Sequence, residues 1–370
     1  MRAGISRKMV PLGGRIRVLV VDDSVVIRRL VTHAISEDPS MEVVGVAANG
    51  AIALERIAQL NPDAITLDIE MPGMDGLTLL RRLKDHAARP RVVMFSTLTD
   101  RGAALTLESL ALGADDYVTK AANAGSLDRS MASLRAELIP KIRQFFLLAG
   151  ERPAVRSLAA PAWRAAPGPA AGRGTNPPRV IAIGVSTGGP TALGAIMPQF
   201  PDDFPLPILI VQHMPALFTR FLAERLQAVT RLQVAEAGQG SRVVPGTVWI
   251  APGDYHMRVR RNGDEPVIQL DQSPPENSCR PSVDVLFRSV GEVYGGAAVA
   301  AVLTGMGQDG LRGAEALRAR GAMVIAQDEA SSVVWGMPGA VAQAGLAHCV
   351  LPLDAVVPEI VSQTAARAIA

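Results

Sequence analysis

Short, unbroken apolar runs recur along this chain, and each closes at its carboxyl end on small or polar residues. Residues 17–21 read RVLVV and run into Asp22-Asp23; residues 180–183 read VIAI and run into Gly184-Val185-Ser186-Thr187-Gly188-Gly189. A strand without polar alternation cannot turn either face to water, so both faces must be covered. Further strands are expected at 42–47, 64–67, 92–95 and 116–119, with helical patterns at 24–37, 51–60, after Gly76, at 101–112 and from about 126. In the second half, strands are expected at 180–185, 207–212, 247–251, 297–303 and 323–327, with helices at 217–229, 311–320 and 354–364. Alternating strands and helices of this kind build parallel sheets with helices on both faces. Residues 257–270 differ: they alternate and contain Asn262-Gly263, a hairpin signal.

The fold expected is therefore α/β, with two doubly wound parallel-sheet domains. The first is flavodoxin-like; the second is Rossmann-like with an antiparallel hairpin insertion. Between them, residues 151–178 are rich in Ala, Pro, Gly and Arg and show neither period, as an interdomain linker would. Trp163 within it is a candidate to dock on a domain surface. The boundaries expected are an N-terminal extension at 1–14, with Met9 a candidate start; a first domain at 15–135; a helix end and linker at 136–178; and a second domain at 179–370.

The chain has 370 residues, is 48% hydrophobic, and balances 37 basic against 35 acidic residues for a net charge of +2. That charge leaves no footprint for nucleic acid or anionic lipid. No apolar run approaches the roughly 18 residues of a membrane span, so no membrane insertion is expected. Two cysteines, Cys279 and Cys349, cannot staple a chain of this length, and a reducing, intracellular setting is expected.

Ligands of parallel sheets sit beyond the carboxyl ends of strands. Asp22 and Asp23 follow the first strand, Asp68 the third, Ser96 ends the fourth, and Lys120 follows the fifth. Clustered carboxylates repel unless a cation neutralises them, and an all-oxygen set favours Mg²⁺. A lysine and a hydroxyl beside that ion suit a phosphoryl group, which one carboxylate would accept covalently. Helix capping alone would account for Asp22-Asp23 but not for the other three residues.

The motifs VLVVDDS, LDIEMPGMDG, MFST and DYVTK resemble the receiver domain of two-component response regulators over about residues 15–135. The resemblance implies that Asp68 is the phosphoacceptor, and that Asp22, Asp23 and Asp68 bind Mg²⁺ with the Glu70 backbone carbonyl. It implies too that Ser96 and Lys120 read the phosphoryl group and that Tyr117 is the switch aromatic. Ala121 departs from the family, which has proline there.

Ser186 lies between glycines at a strand end, and three readings compete: a plain turn, a phosphate cradle, and a held-up nucleophile. A cradle wants a lysine, and 183–199 holds none. A nicotinamide site wants G-x-G-x-x-G and an acid after the second strand; the spacing fails, and that strand ends in Gln212-His213. A nucleophile needs a base and an orienting acid. His213 and Asp309 each follow a strand end, so they would project from the same sheet edge as Ser186; His256 is a rival base, and His348 reads as structural. Backbone donors at Thr187 and in the glycine-flanked turn at Met306 would form an oxyanion hole.

Residues 179–365, with IGVSTGGPTAL, VQHMP, IAPGDYHM, RPSVDVLFRS, LTGMGQDG and SSVVWGMPGA, resemble the catalytic domain of the chemotaxis response-regulator methylesterases. The resemblance implies Ser186 as nucleophile, His213 as base and Asp309 as its orienter. It implies hydrolysis of glutamate methyl esters, and deamidation of glutamines, on cytoplasmic helices of chemoreceptors, with a sensor histidine kinase as phosphodonor. A cytoplasmic monomer without a cofactor in the catalytic domain is expected. Phosphorylation would add about two units of charge and shift the packing of the receiver against the catalytic cleft, with roughly 5 kcal/mol of differential stabilisation. Gly339 departs from the family, where a basic residue is usual. The alternative is a phospho-regulated, non-catalytic receptor-binding adaptor; a DNA-binding output would need a basic helix-turn-helix segment, which 179–370 lacks.

Overall fold

The structure is a computed structural model that describes residues 8–10, 14–84, 89–120, 127–148 and 177–365. Trp163, Ala121 and all but the end of the linker stretch lie outside the described residues. Two compact units divide near residue 166.

The first unit holds a five-stranded parallel sheet, in the order Met41–Ala47, Ile16–Val21, Ala64–Asp68, Arg91–Ser96, Asp116–Thr119. Ala64–Asp68 is buried at every position, as an unbroken apolar run requires. The strand order reverses between Ile16–Val21 and Ala64–Asp68, so Asp22, Asp23 and Asp68 converge at that switch point. Local signals set the helices. Ser24, Asn49, Asp75 and Thr99 each cap the helix that follows through a side-chain oxygen. Ser24, not Asp22 or Asp23, caps the first helix, so capping does not account for the acidic pair.

Two features extend this unit past the boundaries read from the sequence. The last helix runs over Leu127–Arg143, and a strand at Phe146–Leu148 pairs in parallel with Lys8–Val10, inside the stretch read as an extension. Three-residue strands carry too short a pattern to read without their partner.

The second unit holds a seven-stranded parallel sheet, in the order Gln233–Glu236, Thr247–Ile250, Ile208–Gln212, Val180–Val185, Ala298–Val302, Met323–Gln327, Cys349–Leu351. Val180–Val185 is central and fully buried. From it the chain winds one way through Ile208–Gln212, then returns to its other side through Ala298–Val302, which again makes a switch point. The expected hairpin forms as His256–Asn262 paired with Glu265–Asp271, apart from the main sheet. Helix Val283–Tyr294 buries Val283, Leu286, Phe287 and Val290 against the sheet side that carries Ala298, Ala300 and Val302.

Phe287 is fully buried in this core. Phe287→Ala is expected to cost about 3–5 kcal/mol of stability, read as a lower urea midpoint for the second unit's unfolding transition; an unmoved midpoint would show that this helix is not part of the cooperative core.

Candidate active site

Ser186 directly follows the central strand. Val185 pairs with Gln212, and the His213 N–H donates to the Val185 carbonyl at 3.2 Å. Ser186 and His213 are therefore neighbours at the ends of adjacent strands, which lie about 4.8 Å apart. The turn is held from three sides. The Ser186 N–H donates to the Thr304 carbonyl at 3.0 Å, and the Ser186 carbonyl accepts from the Gly189 N–H at 2.8 Å and from Gln212 Nε2 at 3.0 Å. Thr304 Oγ1 donates to the Thr187 carbonyl at 2.9 Å.

Glycine is needed at two positions of this turn. Gly188 has φ +79° and would place a Cβ 2.6 Å from Val333; a Cβ on Gly189 would meet Gln212 Oε1 at 1.9 Å. Helix Gly189–Ile196 then starts with Pro190 in its first turn. The Ser186 hydroxyl makes no hydrogen bond among the described residues, to His213 or to any other group. Catalytic hydrogen bonds are often long before substrate binds, so the strand register is the firmer observation.

Asp309 is 2% exposed and accepts six hydrogen bonds. Oδ1 takes Asn277 Nδ2 at 2.9 Å, Ser282 Oγ at 2.9 Å, and the Asp284 and Gly310 N–H groups, both at 3.0 Å. Oδ2 takes the Val283 N–H at 2.7 Å and His213 Nε2 at 2.8 Å. The Val283 and Asp284 donors are the first N–H groups of helix Val283–Tyr294, which have no partner within the helix. Burial raises the Asp309 carboxyl; the His213 bond and charge, then the two backbone donors, overcome it and hold the group at about 2.

The ionised carboxylate can only accept, so His213 Nε2 carries a proton, and in the neutral ring Nδ1 keeps its lone pair. Cys279 Sγ lies 3.6 Å from Nδ1. Burial works against the imidazolium, but the bonds to Asp309 and Cys279 outweigh it, and His213 is raised well above its ordinary 6.5. The neutral base therefore becomes more populated as pH rises through that raised value.

The rival bases are engaged elsewhere. His256 is fully buried, with Nε2 bonded to the Pro274 carbonyl at 3.2 Å and Nδ1 accepting from the Ser282 N–H at 3.3 Å. His348 Nδ1 accepts from the Val324 N–H at 2.9 Å. Thr187 is half-buried beside the serine, and Met306 is 42% exposed. The turn bearing Met306 lies against Ser186, since a Cβ on Gly305 would come within 2.8 Å of Ser186 Cβ. Gly339 is buried and faces the Trp335 indole, 3.1 Å from its would-be Cβ.

In the first unit, carboxylate oxygens of Asp22, Asp23 and Asp68 all lie within 4.8 Å of one another. Oxygens around Mg²⁺ sit roughly 3–4 Å apart, so this all-oxygen set fits that ion after small shifts. Lys120 Nζ bridges Asp22 Oδ2 at 3.0 Å and Asp68 Oδ2 at 2.8 Å. Burial, opposed by Lys120 and helped by Asp22, raises Asp68 to about 6. The exposed Glu70 carboxylate pairs with Arg101 at 2.9 Å. Ser96 Oγ donates to the Gly102 carbonyl at 3.1 Å and accepts from Thr106 Oγ1 at 2.6 Å. Tyr117 is 7% exposed, with Lys141 Nζ 4.7 Å from its ring centre.

Sequence reasoning missed Asn277, Cys279 and Ser282. Only Ser282 left a local signal, as a serine one residue ahead of a helical apolar pattern.

Comparison with known families bears on both units. The CheB methylesterase family matches residues 181–360, and the response regulator receiver domain matches residues 18–132. A "Protein-glutamate methylesterase/protein-glutamine glutaminase" of Trichodesmium erythraeum is 49% identical, covering 94% of this chain and 98% of its own. One from a Nocardioides species is 51% identical, over 95% of this chain and 96% of its own. The crystal structure of the Thermotoga maritima CheB methylesterase catalytic domain aligns at 42% identity and a TM-score of 0.49, covering 50% of this chain and 98% of that one.

The His213 ring, followed by NMR, is expected to titrate above 6.5 and to move down in Asp309→Asn, because an amide cannot hold the imidazolium. By linkage, this raised group stabilises the fold fully below about pH 6.5 and loses that contribution as pH rises through its folded value. A midpoint indifferent to the substitution would sever the pair.

Proposed function

The chain belongs to the CheB methylesterase family, and on that premise we propose that Ser186 attacks methylated glutamate side chains of chemoreceptors. The enzyme is a protein-glutamate methylesterase and protein-glutamine glutaminase, regulated through its receiver domain. The observation that carries the site assignment is the Asp309–His213 bond at 2.8 Å, one strand over from Ser186.

His213 Nδ1 takes the Ser186 proton as Oγ bonds to the ester carbonyl carbon. Backbone N–H groups of Thr187 and Met306 receive the oxyanion. The carbon–methoxy bond breaks, His213 returns the proton to that oxygen, and methanol leaves. Water, deprotonated by the same nitrogen, then splits the glutamyl–serine ester and restores Ser186. With a glutamine side chain, ammonia leaves in place of methanol. Asp309 keeps the Nε2 proton in place and stabilises the imidazolium through each transfer.

Asp68 accepts a phosphoryl group from a histidine kinase in the cytoplasm. Mg²⁺, held by Asp22, Asp23, Asp68 and the Glu70 carbonyl, would offset the charge gathered there. Lys120 pairs with the phosphoryl oxygens. Ser96, swung away from Gly102, and Tyr117 convey the change to the rest of the receiver.

Ser186→Ala is expected to lower methanol release from methylated receptor by about 10⁶-fold; an unchanged rate would remove serine chemistry altogether. Asp68→Asn is expected to keep basal hydrolysis but lose its stimulation by a small acyl phosphate. Persistent stimulation in that variant would place the phosphoacceptor elsewhere.

A further inference from the structure

Cys279 has no part in the ester chemistry, yet its sulfur faces the one nitrogen that does. Its Sγ stands 3.6 Å from His213 Nδ1, while Nε2 of the same ring is tied to Asp309 at 2.8 Å. Atoms of Cys279, His213 and Asp309 suited to metal ligation all lie within 4.8 Å of one another. We propose that Cys279 Sγ and His213 Nδ1 form a zinc-binding pair that switches the esterase off.

Three features support this. The first is the ligand spacing. Zinc sits about 2.3 Å from a thiolate and about 2.05 Å from an imidazole nitrogen, and at a tetrahedral angle those two ligands lie about 3.6 Å apart. The sulfur and Nδ1 already have that separation. The second is the carboxylate behind the ring. Zinc-bound histidines donate their other N–H to such a group, which fixes the tautomer and strengthens the ligand. Asp309 does this at Nε2, itself held by five further hydrogen bonds. The third is the placement of the thiol. Cys279 closes a tight reversal in which Glu276 and Cys279 exchange backbone bonds of 3.1 and 2.9 Å around Asn277 and Ser278. Glu276 is anchored by Arg288 at 2.7 and 2.5 Å, and Asn277 by Asp309 and Asp284, both at 2.9 Å. The sulfur is therefore held toward the ring by a fixed turn.

On binding, the thiol loses its proton to solvent and the imidazole binds neutral. Two protein ligands leave the remaining positions of the tetrahedral ion to solvent, short of the four that a structural zinc site supplies. Zinc at Nδ1 takes up the lone pair that accepts the serine proton, so turnover stops while it is bound. The metal site rests on the Cys279–His213–Asp309 geometry; only its effect on turnover rests on the hydrolase reading.

Two probes test it on the full chain. Zinc is titrated while methanol release from methylated receptor is followed, each protein being compared with its own zinc-free rate. Turnover of the unsubstituted protein is expected to fall with zinc, and Cys279→Ala to need ~10–100-fold more zinc for the same inhibition. Cobalt(II) is the second probe. A thiolate-to-cobalt absorption band is expected in the near ultraviolet for the unsubstituted protein and for Ser186→Ala, and none for Cys279→Ala. The all-oxygen receiver cluster cannot give that band. Equal zinc sensitivity with and without Cys279, or no thiolate band in the unsubstituted protein, overturns the site. A cobalt band in a protein that releases no methanol supports the metal site and sinks the hydrolase reading instead.

Discussion

The second unit is organised around one buried charge. Asp309 is an ionised carboxylate almost out of reach of water, and such a group is tolerated only when its lone pairs are filled. Five of its six donors come from outside the histidine: an asparagine, a serine hydroxyl and three backbone N–H groups. The start of helix Val283–Tyr294 supplies two of them and the favourable end of its dipole. Removing the carboxylate's partners one at a time would leave charge stranded, at about 3–5 kcal/mol for a broken buried pair. The 276–284 segment therefore makes an anion stable where an imidazole must be held.

The two units use one topological rule to opposite electrostatic ends. Both gather polar residues where a parallel sheet reverses its strand order. In the first, three carboxylates converge and Lys120 bridges two of them. In the second, the Asp309 carboxylate, beside a buried Asp284, is surrounded by donors and bonds a histidine. The first arrangement is built to change its charge, the second to keep it fixed while protons move past it.

The same tautomer that suits the esterase opens the base to a metal. Once Asp309 claims Nε2, the proton acceptor for Ser186 and the ligand nearest Cys279 are the same atom, Nδ1. Catalysis and metal binding are then mutually exclusive by geometry, with no conformational change required.

Much of this was legible along the chain. The strands at 180–185 and 323–327 were read at the bounds they take, because runs that are apolar almost throughout declare themselves locally. Ser186 stood out along the chain as a serine in a glycine-flanked turn after such a run, but a plain turn, a phosphate cradle and a nucleophile all fitted it until the resemblance was added. Gln233–Glu236 was not: an edge strand of four residues, half polar, carries too little pattern. The choice of His213 over His256 rested on resemblance; the fold adds that both nitrogens of His256 are bonded to backbone groups. Which nitrogen meets Asp309, and that Cys279, Asn277 and Ser282 surround the pair, was settled only in three dimensions. Those contacts join residues 27 to 96 positions apart, and their geometry is set by how a turn and a helix end dock onto a sheet, which no local pattern encodes.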